Sequence, residues 1–198
     1  TTETSILYQL MNDANLKAKL VTTEESPTLT AAGEKIVEAA IKDKGGNIDS
    51  GKIITMLNGF TDLNAAGTVG AAVVDHLIGR KDVTAEMLYQ VMNNGDLKAK
   101  LVTTGESPTL TAAGEKIMKK AIDKHISLSA LNGLVKKLVI KDFSYTIPNK
   151  HITLEIDANS QLLITNYAQY VYDYIKECGT NGAEVADGDR LLFRSIVN

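Results

Sequence analysis

Apolar residues recur along most of this chain at the three-and-four spacing of helices. Leu7, Leu10 and Met11 make one such face, and Ile36, Val37, Ala40 and Ile41 a second. Ile53, Ile54, Leu57 and Phe60 make a third, and Val69, Ala72, Val73, Leu77 and Ile78 a fourth. Polar residues mark the starts. Thr30 is placed to cap the second helix, with Glu34 in its first turn favoured by the helix dipole. Ser50 is placed to cap the third and Asn64 the fourth, and Asp82 or Thr84 precedes a fifth over residues 85–92. Gly67 and Gly70 weaken the fourth helix and point to close approach of a neighbour. Between the first two helices the period changes. Residues 19–23 (KLVTT) read as extended, because Val and Thr carry β-branched side chains. Residues 24–27 form a turn and 28–30 a second short strand.

Near residue 139 the character shifts to apolar/polar alternation. Residues 139–147 and 151–156 predict a β-hairpin around Pro148, Asn149 and Lys150. Residues 162–178 predict a long helix, broken by Gly179 and Gly182, and residues 190–197 a last short element. On the long helix Tyr167, Tyr170 and Tyr174 share one face, which either packs onto the hairpin over residues 139–156 or forms a candidate interface stripe, since Tyr is enriched at interfaces. The reading is an α+β protein, mainly α-helical. A helical region over residues 1–138 is followed by an α/β region over 139–198, as two parts or as one continuous fold.

The chain also repeats itself. Residues 7–41 return 81 residues later as 88–122, with 27 of 35 positions identical. Within residues 16–36 and 97–117 only Glu24/Gly105 differs. Retention of a core alone would preserve the apolar positions. This repeat also keeps Lys17, Lys19, Thr22, Thr23, Glu25 and Ser26, matched by Lys98, Lys100, Thr103, Thr104, Glu106 and Ser107. Such residue types usually face water. Either the duplication is recent, or a surface is used twice.

The run LTAAGEKI at residues 29–36, repeated at 110–117, resembles the wing-to-helix segment of winged-helix regulators of the LysR and MarR type. In those families the last wing strand ends in Leu-Thr and an x-x-Gly-Glu stretch opens the next helix. The resemblance covers residues 48–124. It implies that 50–62, 68–78 and 84–93 are three helices, the third a recognition helix, with Gln90, Asn93, Lys98 and Lys100 as nucleic-acid contacts.

Composition narrows the chemistry. A net charge of −3 excludes a strongly electrostatic partner class, and all of it lies in residues 141–198. Residues 84–93 contain no Lys or Arg, which disfavours nucleic acid because phosphate contacts need basic side chains. A single cysteine, Cys178, excludes an intrachain disulfide and fits a reducing, cytoplasmic setting. The polar start TTETS is no signal peptide, and no apolar run reaches the roughly 20 residues of a membrane span. A soluble intracellular protein is therefore expected. The loop KDKGGN at residues 42–47 lacks the alternating oxygen ligands of a calcium loop. His76, His125 and His151 have no partners at zinc spacing, and no phosphate loop is present. No metal, cofactor or catalytic residue is assigned. The expectation is a non-enzymatic interaction or assembly protein. It would present the twelve repeated polar residues above to a protein partner or to another copy of itself. A winged-helix-like DNA-binding protein is the alternative, and a site around His151 and the C-terminal acids remains for an enzyme.

Overall fold

Six of the helices begin at a Thr, Asp or Ser whose side-chain oxygen accepts the backbone N–H three residues on. The six are Thr30, Asp49, Thr68, Thr84, Thr111 and Ser127. A computed structural model of the chain describes residues 2–181 and 187–197. In order these form α1 (Thr2–Asn12), α2 (Lys17–Leu20), α3 (Ala31–Ile41), α4 (Ser50–Gly59) and α5 (Val69–Gly79). Next come α6 (Ala85–Asn93), α7 (Lys98–Leu101), α8 (Ala112–Asp123) and α9 (Leu128–Leu138). Strands β1 (Phe143–Ile147), β2 (Ile152–Ile156) and β3 (Leu162–Thr165) follow, then α10 (Tyr167–Asn181) and α11 (Asp187–Val197). The protein is mainly α-helical with one small antiparallel sheet, as the periodicity predicts.

Several boundaries differ from the sequence expectation for local reasons. Ser50 is the first residue of α4, and the cap is Asp49, whose carboxylate accepts from Lys52 N at 3.0 Å. Asn64 does not cap α5; Thr68 does. The extended reading of residues 19–23 holds only from Val21, because Lys17–Leu20 close one helical turn before the chain pairs Val21 with Leu29. The hairpin strand begins at Phe143, not 139. Val139 and Asp142 have φ of 54° and 55°, the left-handed region that interrupts an extended run. Residues 162–165 are a strand, not helix. Leu163 and Ile164 pair with Glu155 and Leu154, and left-handed Ser160 and Asn166 isolate the strand on both sides. Helix α10 runs through Gly179, and Gly182 lies outside the described residues.

The sheet order is β1-β2-β3. One continuous apolar core runs from Met11 through the helices to Ile156 and Tyr170. Strand β1 lies against α8, where the Tyr145 hydroxyl donates to Asp123 Oδ1 at 2.7 Å. The change of character near residue 139 is therefore no break in the core. No helix among the described residues is long and apolar enough to cross a membrane.

Candidate functional site

The two repeated segments make the same local bonds. In each, a short helix leads into a tight hairpin closed by one bridge, Val21 with Leu29 and Val102 with Leu110. Thr22 and Thr28 exchange bonds: Thr22 N–H donates to Thr28 O at 2.8 Å, and Thr22 Oγ1 accepts from Thr28 N at 3.0 Å. Thr103 and Thr109 repeat this at 2.8 and 2.9 Å. The capping threonine then serves twice. Thr30 Oγ1 donates to Lys19 O, and Thr111 Oγ1 donates to Lys100 O at 2.8 Å, while each accepts the N–H of the glycine three residues on. Those glycines let the short helix lie directly on the long one. A Cβ on Gly33 would sit 2.5 Å from Leu20 O, and one on Gly114 would overlap Leu101 O. The Leu-Thr-x-x-Gly run thus has a backbone reason at every polar position.

This separates the twelve predicted surface residues into two groups. Thr22 and Thr103 hold their hairpins shut, and Lys100 is bound inside the fold. Thr23, Glu25 and Ser26, with Thr104, Glu106 and Ser107, stand exposed at the two hairpin tips. Lys17, Lys19 and Lys98 are exposed on the short helices. Nothing in the internal bonding of the described residues explains why the tip side chains are repeated.

Lys100 departs furthest from a surface role. Its ammonium donates to the carbonyls of Leu57, Asn58 and Phe60 at the C-terminal end of α4, at 3.3, 2.6 and 2.5 Å. A cation there meets unpaired carbonyls and the negative end of the helix dipole. Burial pushes its pKa below the ordinary lysine value. Asn64 completes the joint: Nδ2 donates to Lys100 O at 3.1 Å and Oδ1 accepts the N–H of Ala113 at 2.9 Å. Sequence reasoning missed this role for Asn64, because its partners lie 36 and 49 residues away.

Of the other residues proposed as nucleic-acid contacts, Gln90 and Asn93 are engaged and Lys98 is exposed. Gln90 accepts from the Ser50 hydroxyl. Asn93 presents its carbonyl and Oδ1 to Lys137 Nζ at 2.7 and 2.6 Å, so that Lys137 caps α6. Helix α6 packs against α4, α8 and α9 and leaves Glu86 and Gln90 exposed.

The tyrosine stripe is not a free face. Tyr170 is 3% exposed, packed on the sheet, and its hydroxyl donates to Asp189 O at 3.1 Å. Burial raises its pKa. Tyr174 stacks on Phe193 of α11, with ring centroids 4.1 Å apart. Only Tyr167 of the three is exposed. The alternation of β2 supplies the apolar surface that turns Tyr170 inward.

Among the described residues the remaining titratable groups lie apart or in simple pairs. His76 is half-buried, its pKa lowered first by burial, and Glu34 lies 3.7 Å from Nδ1. Lys150 and Asp189 form an ion pair at 2.8 Å beside Tyr170 and Glu177, and His151 does not line that cleft. Asp43 in the glycine-rich loop accepts the N–H groups of Gly45 and Asn47, which bend the loop without a cation. Among the described residues no three His, Cys, Asp or Glu side chains are grouped to hold a metal ion. The chain matches no known protein family, no curated protein and no solved structure.

Proposed function

We propose that this chain is a non-enzymatic interaction or assembly protein that presents two equivalent polar hairpins. The observation that carries the reading is the identity of Thr23, Glu25 and Ser26 with Thr104, Glu106 and Ser107 at exposed tips. Thr22, Thr30, Gly33 and their counterparts have backbone work that accounts for their identity. The tip residues have none, and a common binding role supplies it.

The test is a double charge reversal, Glu25→Lys with Glu106→Lys. Exposed positions of this kind shift stability by only about 0.5 kcal/mol, so the fold is retained. Assembly predicts sedimentation that quickens with concentration in the native chain and not in the variant. A separate protein partner predicts capture by the native chain and loss by the variant. Identical behaviour of both proteins in both assays overturns the reading. Duplex DNA binding that weakens steeply between about 50 and about 200 mM salt would instead support the winged-helix alternative.

A further inference from the structure

The two repeated segments share most of their sequence and their internal bonds, and α4 packs against α3 of the first and α6 of the second, yet one face of the unit is closed in the second segment and open in the first. In the second segment Met87, Leu88, Val91 and Ile117 close an apolar pocket against Leu57 of α4 and Leu77 of α5. Val91 is 1% exposed and Ala113 is 1% exposed. The residues 81 positions earlier are Ile6, Leu7, Leu10, Ile36 and Ala32. Ile6 is 53% exposed and Leu10 is 38% exposed, Ala32 is exposed, and Leu7 and Ile36 are only half-buried. The polar joint is open too. Lys19, the counterpart of Lys100, is exposed with no partner among the described residues. No described side chain accepts the N–H of Ala32 as Asn64 accepts that of Ala113. Glu34, which faces His76 of α5, lies on the other side of α3, so α5 does not cover Ala32 and Ile36.

We propose that the face of α1, α2 and α3 built from Ile6, Leu10, Lys19, Ala32 and Ile36 is a docking site for a partner helical hairpin constructed like α4–α5. The partner's first helix ends with its free carbonyls on the Lys19 ammonium. An Asn in the following turn bridges Lys19 O and the Ala32 N–H. Its apolar faces cover Ile6, Leu10 and Ile36. What specifies this occupant is the second segment, where Lys100, Ala113 and Ile117, identical to Lys19, Ala32 and Ile36, and the apolar Met87 and Val91 in place of Ile6 and Leu10, accept a hairpin of that chemistry. The site extends the interaction reading above to a second face, distinct from the hairpin tips.

The probe is a synthetic peptide of residues 50–79, added to the full chain and followed by hydrogen exchange. Binding is expected to protect amides in residues 6–10, 17–20 and 31–36. Leu10→Asp and Ala32→Arg, each checked for native circular dichroism, abolish it. Lys19→Met weakens it about tenfold, the worth of a charge-assisted hydrogen bond. Because a free peptide pays its own folding entropy, a fusion is run in parallel, with residues 50–81 joined ahead of Thr1. That join reproduces the 81-residue offset, since Thr1 stands where Asp82 stands in the second segment. Protection in either format supports the site. Its absence in both, or peptide binding that only loosens residues 112–117, overturns it. Glu25→Lys leaves this binding unchanged, so failure of the docking site and failure of the hairpin reading are told apart.

Discussion

Gly114→Ala and Gly133→Ala place the same substitution in the interiors of two helices of this chain, and opposite outcomes are expected. In a helix, Ala is favoured over Gly by about 1 kcal/mol. Gly133 lies in α9 with no atom within 4 Å of an added Cβ, so Gly133→Ala gains about 0.5–1 kcal/mol. At Gly114 the added carbon overlaps the carbonyl oxygen of Leu101 and stands 3.0 Å from its carbon. Both are backbone atoms, so no rotamer relieves the overlap. The whole of α7 must slide on α8 by close to an ångström, and overpacking of this kind costs about 1–3 kcal/mol. The slide also strains the bonds that seat α7, Thr111 N–H to Leu101 O at 2.9 Å and Thr111 Oγ1 to Lys100 O at 2.8 Å. Each contributes about 1 kcal/mol. After the propensity gain, the net loss is about 1–3 kcal/mol. For a chain of this length about 2–4 °C of melting temperature accompanies each kcal/mol. Thermal or urea denaturation followed by circular dichroism therefore should show Gly114→Ala melting roughly 2–12 °C lower and Gly133→Ala roughly 1–4 °C higher. A Gly114→Ala protein as stable as the native chain would refute the view that this glycine exists to admit the Leu101 carbonyl.

Lys100→Met removes three bonds to α4 carbonyls and should cost about 1–3 kcal/mol, whereas Lys19→Met, the same change in the same local sequence, should stay within about 0.5 kcal/mol; equal effects in urea denaturation would contradict the asymmetry. Tyr145→Phe strips the donor from Asp123 Oδ1 beneath the sheet and should lower stability by about 1–2 kcal/mol in the same assay. His76 titrates below its ordinary value of 6.5, first because burial disfavours the imidazolium. The native state thus binds this proton less readily than the unfolded chain. Its stabilising contribution is complete above about pH 6.5 and is lost as pH falls through the lower native value. His76→Gln should flatten the stability profile as pH falls below about 6.5, and an unchanged slope would show that another group governs that range.

Much of the local architecture is legible in the residues themselves. Thr30, Thr84 and Thr111 mark helix starts because a short side-chain oxygen reaches the N–H three residues on, whatever the rest of the chain does. The close approach implied by Gly70 is found as well, against the Asp62 carbonyl. The hairpin around Pro148–Lys150 follows from alternation and a turn. Residues 162–165 fail as helix because their strand depends on pairing with β2, which no local pattern encodes. Lys100 likewise reads as a surface group and Asn64 as a cap of its own helix until residues far along the chain meet them.

The repeat shows where that boundary falls. Sequence alone determined that residues 16–36 and 97–117 form the same short helix, hairpin and capped helix. The bonds that both copies share are made within the unit, from Thr22 to Thr28 and from Thr30 to Lys19 and Gly33. Tertiary structure alone decided that Lys100 is a half-buried cap and Lys19 an exposed cation, and that Val91 is sealed while Leu10 meets solvent. Matched positions acquire these different surroundings because α4 and α5 close this face in one copy only, although α4 also packs against α3, and burial depends on what stands opposite a side chain rather than on its neighbours in the chain.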